Sequence, residues 1–385
     1  MAQISTYKET SVQALKKLKK EINILLVTVT PIESKALHNL LKPLPEERAV
    51  LKGSSENLTY NVGVFGKYKV CHVESKMGSV AVGGSLMTIQ QAITDWSPKV
   101  IIMLGIAFGK DKESQNIGDV LVARHIQQYQ HKKITKTGKT EDRGDKHHCS
   151  PTLLDRFSAY HDGWSYSIAD SVSSVVRIGD VLSGEVLIDN EKYRNKLFEQ
   201  YSEAIGGEME GVGVANAALT KAKEWIVVKG ICDFADGDKG KHKTQNQQIA
   251  AGAAASLCEF ILNHSYVFKS LKINALLEPP KKQEIQATDI VQEISPDEVV
   301  IPKILGLTDN DMEANRKLIR AFLSLTVSSR FHIGTLLGLV DPEEVENGNS
   351  EEVSTQILVR AKEQKLFGQL WSALFDEKND PNPFK

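Results

Sequence analysis

The chain holds only four cysteines in 385 residues, and Cys71, Cys149, Cys232 and Cys258 are scattered with no CxxC spacing. That excludes a disulfide framework and a zinc knuckle, and points to a reducing, cytoplasmic setting. No apolar run approaches transmembrane length. The early cluster of Lys16, Lys17, Lys19 and Lys20 is not followed by the apolar stretch and small-residue cleavage site of a leader, so neither membrane anchoring nor export is expected. Excess charge of one sign is also missing. With 47 Lys and Arg against 49 Asp and Glu, the basic surplus of a dedicated nucleic-acid binder is absent. The balance is uneven, however: 13 basic residues face 19 acidic ones from residue 271 onward, which leaves a mildly basic body and an acidic tail. There is no internal repeat.

What is present is ordinary globular material, 41% hydrophobic and 25% charged, in a chain too long for one compact domain. Ile22–Val29 is a short, β-branched run suited to a strand buried on both faces, and Thr30-Pro31-Ile32-Glu33 has the cap, proline and N3 glutamate of a helix start. Residues 59–65 and 68–74 around Gly66-Lys67 predict a hairpin, 79–96 a helix, and 100–104 a buried strand ending in the turn-like Gly105–Gly109. Further strands are expected at 119–123 and 225–231, and helices at 211–222 and 246–262. The polar stretch 127–150 reads as a loop or lid. Strands alternating with helices imply an α/β domain with a mixed sheet and a ligand site at the strands' C-terminal ends. Composition gives four segments: an N-terminal extension 1–21, the α/β domain 22–268, a linker 269–298 around Pro279-Pro280, and a small all-helical bundle 299–385.

Three acidic sites fall where predicted strands give way to loops or helices: Glu33, Glu208-Met209-Glu210, and Asp233 with Asp236. Each has a plain structural reading: Glu33 completes a capping box, Asp233 caps a turn, and Glu208 and Glu210 favour a helix N-terminus. Taken together, and with Ser75-Lys76-Met77-Gly78, Gly105–Gly109, Gly118-Asp119-Val120 and Ser183-Gly184-Glu185 in order, the sequence over 22–265 resembles the nucleoside phosphorylase and nucleosidase superfamily, in its methylthioadenosine/adenosylhomocysteine nucleosidase-like branch. The resemblance implies a three-layer phosphorylase-like fold and an N-ribosyl hydrolase needing neither cofactor nor metal. In that setting Asp233 would be the general acid at the purine imidazole ring and Glu33 would activate water. Glu210 would hold the ribose hydroxyls, with Glu208 beside it and Met209 against the sugar. Gly105, Ile106, Ala107, Leu187 and Ile188 would line the sugar and base.

Departures from the pattern refine these expectations. Ile106 replaces a small polar residue, and a carboxylate at 33 repels phosphate, so hydrolysis is preferred over phosphorolysis, which stays open as the alternative. Leu187 stands where an aromatic usually stacks, and Cys232 where a serine usually precedes the acid. The loops expected to close the sugar's 5′ side carry Lys132, Lys133 and Arg143, and Lys239 and Lys241, which suits a phosphorylated substrate such as ATP. The competing reading is a solvated basic surface. His147-His148-Cys149 does not make a metal set. Residues 299–385 resemble the death-like effector-associated domains fused to bacterial defence enzymes, implying a protein partner and regulated nucleotide depletion in antiviral defence, while the resemblance to the nucleosidase superfamily implies a homo-oligomer. A helical cap on the enzyme and a non-catalytic nucleotide sensor are the alternatives.

Overall fold

A computed structural model describes residues 7–55, 57–169, 172–237, 240 and 242–276, with six isolated positions beyond them (322, 339, 357, 358, 360 and 361). The chain divides into two units, Met1–Leu277 and Glu278–Lys385. The bundle expected at 299–385 lies outside the described residues apart from those six positions, as do Lys239 and Lys241.

The first unit begins with β1 (Tyr7–Glu9), α1 (Val12–Lys16), β2 (Ile24–Thr28), α2 (Pro31–His38), β3 (Val50–Ser55), β4 (Leu58–Phe65) and β5 (Tyr68–Glu74). Its middle holds α3 (Ser85–Trp96), β6 (Val100–Gly109), β7 (Val120–Gln128), β8 (Lys132–Ile134), β9 (Thr140–Asp142), β10 (Lys146–His148) and α4 (Pro151–Ala159). It continues through β11 (Ser167–Ala169), β12 (Val172–Ser173), β13 (Val176–Ser183), α5 (Glu191–Gln200) and β14 (Ala204–Glu208). It closes with α6 (Gly211–Leu219), β15 (Glu224–Asp233) and α7 (Lys243–Leu262). Eleven strands form one mixed sheet. β2 runs parallel to β5 and β6, and β6 parallel to β15; the path β6–β15–β7–β13–β14 then returns to β6, closing part of the sheet on itself. The strands β2, β6 and β15 are almost wholly buried, as their unbroken apolar runs require.

Layering follows from the pleat. Gly230 lets the backbone of α7 approach, since a Cβ there would collide with Ala250, so the neighbouring Lys229 points to the opposite face, towards the start of α6. Thr30 and Glu33 form the expected capping box at α2.

Three expectations change. Residues 79–84 are not helical: the Gly78 and Ser79 N–H groups bind the carboxylates of Glu210 and Glu185, and α3 starts only at Ser85. Gly105–Gly109 is not a turn but the second half of β6, held by β15 and then β14. The 127–150 stretch is not one open loop, because β8 and β9 form a hairpin and β10 pairs with β7. Residues 7–21 pack on the domain: β1 pairs with β3 and α1 buries Leu15. At the other end, Ile273 is buried and the Leu276 N–H reaches the Lys67 carbonyl, so the chain stays packed past residue 269. No helix among the described residues is long and apolar enough to cross a membrane.

Candidate active site

Strand β15 delivers a lysine into the interior. Lys229 is 1% exposed in an otherwise apolar strand, which is tolerable only if its charge is matched. Glu210 Oε2 lies 3.3 Å from its Nζ and Glu208 Oε2 lies 3.9 Å away, and the charge of Glu33 acts on it too. Burial alone would lower the lysine's proton affinity, but the surrounding carboxylates reverse this and raise it above the ordinary value.

Each glutamate is held differently. Glu33 Oε2 accepts the Val29 and Thr30 N–H groups at 2.7 and 2.8 Å, while Oε1 accepts the Ile106 N–H at 2.8 Å. Only glycine fits at 105, because a Cβ would strike the Glu33 carboxylate. Burial is the largest influence on Glu33 and raises its pKa, overcoming Lys229 and the backbone donors. Glu210 Oε1 accepts the Gly78 N–H at 3.0 Å, tying the 76–84 loop to the lysine. Glu208 works at the helix: its carboxylate takes the Glu210 and Gly211 N–H groups at 2.9 Å, as Ser183 Oγ takes Val212 and Ser79 Oγ takes Gly213. The open donors of α6's first turn are thereby filled by side chains of the cluster. Burial raises the Glu208 pKa as well.

Three of the expected acids, Glu33, Glu208 and Glu210, therefore gather around Lys229, with Gly105, Ile106 and Ala107 alongside on β6. Met209 is half-buried between two of them. Asp233 sits four residues beyond Lys229, roughly 13 Å along the strand at the usual rise. A register shift at Ile231/Asp233 re-aims it. Asp233 Oδ1 accepts the Ala235 N–H at 2.8 Å, and Cys232 Sγ lies 3.4 Å from Oδ2. The residue lines a cavity of about 210 Å³ with Lys112, Phe234, Asp236, Lys243 and Asn246; none of the three glutamates lines it.

The remaining expected residues divide. Ile188 is buried in a separate apolar cluster with Tyr129, Leu182 and Phe198, whereas Leu187 is 63% exposed. Lys132 reaches Gln200 Oε1, Lys133 pairs with Glu141 across the β8–β9 hairpin, and Arg143, just after β9, pairs with the same carboxylate. None of those three lines the cavity with Asp233. Around His147-His148-Cys149, His148 Nδ1 meets His125 Nε2, whose Nδ1 is 2.6 Å from Asp180. Sequence reasoning missed Lys229, although one lysine inside the run Trp225–Ile231 was a legible signal, and it missed Lys112, which carries no such mark.

The fold has known counterparts. The profile of the phosphorylase superfamily matches residues 23–263, and the chain belongs to that superfamily. A death domain-containing ATP nucleosidase of Amphimedon queenslandica is 28% identical over 267 residues, covering 64% of this chain and 48% of that protein. The chain thus spans about half the length of that relative. A 5′-methylthioadenosine/S-adenosylhomocysteine nucleosidase of Staphylococcus epidermidis is 23% identical over 215 residues, covering 51% of this chain and 86% of its own. The S-adenosylhomocysteine nucleosidase of Streptococcus pyogenes, solved with 5-methylthiotubericidin, superposes with a TM-score of 0.52 at 22% identity, over 63% of this chain and 97% of that one. This last likeness is one of fold.

Proposed function

We propose that the chain hydrolyses the N-glycosidic bond of a purine nucleoside or nucleotide, with ATP as the preferred substrate. The observation that carries this is the buried cluster of Glu33, Glu208 and Glu210 around Lys229, with Asp233 further along the same strand. Three carboxylates around one ammonium leave an excess of negative charge in a desolvated place, where an oxocarbenium-like ribose gains most from it. Glu210, beside the half-buried Met209, would hold the ribose hydroxyls. Glu33 keeps one acceptor site free, on Oε1, after its three backbone bonds and, with its proton affinity raised, suits removal of a proton from water attacking the anomeric carbon. Asp233 would protonate the departing purine, so the base lies at the cavity end of β15 and the sugar at the lysine end. The same negative excess disfavours a phosphate dianion as nucleophile.

Support for the nucleotide comes from the Amphimedon relative, named as an ATP nucleosidase. Loss of the base from ATP removes the nucleotide outright, which suits a regulated effector in antiviral defence. We further propose that residues 299–385 recruit a protein partner and that the chain works as a homo-oligomer. The test of the activity is adenine release from ATP, adenosine and methylthioadenosine. Asp233→Asn and Glu33→Gln should each lower turnover by about 10²–10⁴-fold, the usual contribution of a general acid or base. Undiminished release by both variants would contradict the assignment.

A further inference from the structure

A second buried polar network lies at the end of β2, beside the start of α2. Thr28, Ser34 and His72 are buried and joined by hydrogen bonds, and Ser34 Oγ donates to the carboxylate of the exposed Glu74. A hydroxyl has one proton, so the order of the other bonds follows. Ser34 accepts from Thr28 at 2.7 Å, and Thr28 then accepts from His72 Nε2 at 2.8 Å. Burial holds the His72 imidazole well below the ordinary histidine value, and burial with the Lys52 charge brings His38 down to about 4, so both rings are uncharged at neutral pH. His72 Nδ1 is therefore an acceptor. His38 Nε2 donates to it at 2.9 Å, the Asn61 amide nitrogen lies 3.4 Å away, and His38 Nδ1 accepts from the Tyr7 hydroxyl at 2.9 Å. Five bonds thus run in one direction, from β1 to Glu74.

The two hydroxyls of this chain bracket the turn that holds Glu33. Thr28 directly precedes Val29 and Thr30, whose N–H groups bind Glu33 Oε2, and Ser34 directly follows Glu33. The Thr28–Ser34 bond ties the last residue of β2 to the first turn of α2, while β5 supplies the anchor through His72 and Glu74, which pair in register with Leu26 and Thr28. We propose that His72 is a positioning residue for Glu33, acting through Thr28 and Ser34 to fix the carboxylate against the Ile106 N–H. Its part in turnover rests on the reading of Glu33 as the base that activates water. Hydrogen bonds set distance and direction together, which apolar packing does not, and a base that serves one water needs both.

Full-chain variants test the role. In a ¹³C carboxyl NMR titration, with the Glu33 signal assigned from Glu33→Gln, Thr28→Val and His72→Leu should each move the Glu33 midpoint by about half a unit or more, whereas His72→Gln, whose amide can still donate to Thr28, should stay near wild type. Leu153→Ala, a core truncation in α4, controls for lost stability and should leave the midpoint in place. In adenine release from ATP, Thr28→Val should lower kcat by about tenfold with KM within about twofold, and should add nothing to the loss in Glu33→Gln. An unmoved midpoint in Thr28→Val and His72→Leu, an equal shift in Leu153→Ala, or additive losses with Glu33→Gln overturns the proposal. If no purine substrate is cleaved, the nucleosidase reading fails, while the positioning of Glu33 is still judged on its own titration.

Discussion

Three carboxylates around Lys229 share a cost that each would bear alone if the ammonium were removed. Truncating one member of such a buried set strands the others, and the usual penalty is about 3–5 kcal/mol. Lys229→Met should therefore lower stability by that order in chemical denaturation, whereas Lys229→Arg should recover much of it. The sign with pH follows from the directions of the shifts. Lys229 is raised by folding, so its contribution is complete below the ordinary lysine value and disappears as pH climbs through the folded one. Glu33 and Glu208 are also raised, so their ionised forms oppose folding at neutral pH, and that opposition is relieved as pH falls through the raised values. Activity moves the other way: Glu33 must be ionised to act as a base, so the acid limb of kcat/KM should lie above the ordinary carboxylate range. An acid limb at or below that range would contradict the role given to Glu33.

At the scale of elements, β6 and α2 fix the base. Gly105→Ala forces a methyl against the Glu33 carboxylate, and turnover should fall much more than stability, as measured by adenine release beside thermal unfolding. Thr30→Ala should cost about 1 kcal/mol through loss of the cap. Local chemistry made these elements legible in sequence: the Thr30–Glu33 box and the apolar runs of β2 and β15 each declare themselves within a few residues. The start of α3 did not, because residues 79–84 have helical periodicity but the N–H groups of Gly78 and Ser79, at the head of that stretch, are claimed by Glu210 and Glu185, which are more than a hundred residues away in sequence. The same limit explains the site. Acid types and strand ends were readable, but that Lys229 would join Glu33, Glu208 and Glu210 depends on which face of β15 meets α6. The cavity cations Lys112 and Lys243 are brought together only by the fold.

For the whole molecule, the division at Leu277 separates a unit that contains every side chain of the acidic cluster and the Asp233 cavity. Residues 1–277 alone should release adenine at a rate within a few-fold of the full chain, and removal of 278–385 should abolish only partner association, followed by co-purification with the full chain as reference. Loss of turnover in the fragment would make the second unit part of the catalytic apparatus. The central claim is water attack on a purine riboside, and it is tested most directly by incubating the full chain with ATP in phosphate-free, ¹⁸O-enriched water and analysing the products by mass spectrometry. The account predicts free adenine together with ribose 5-triphosphate carrying one ¹⁸O at its anomeric carbon, both suppressed in Asp233→Asn; intact ATP, or adenine released only when phosphate is added, would contradict it.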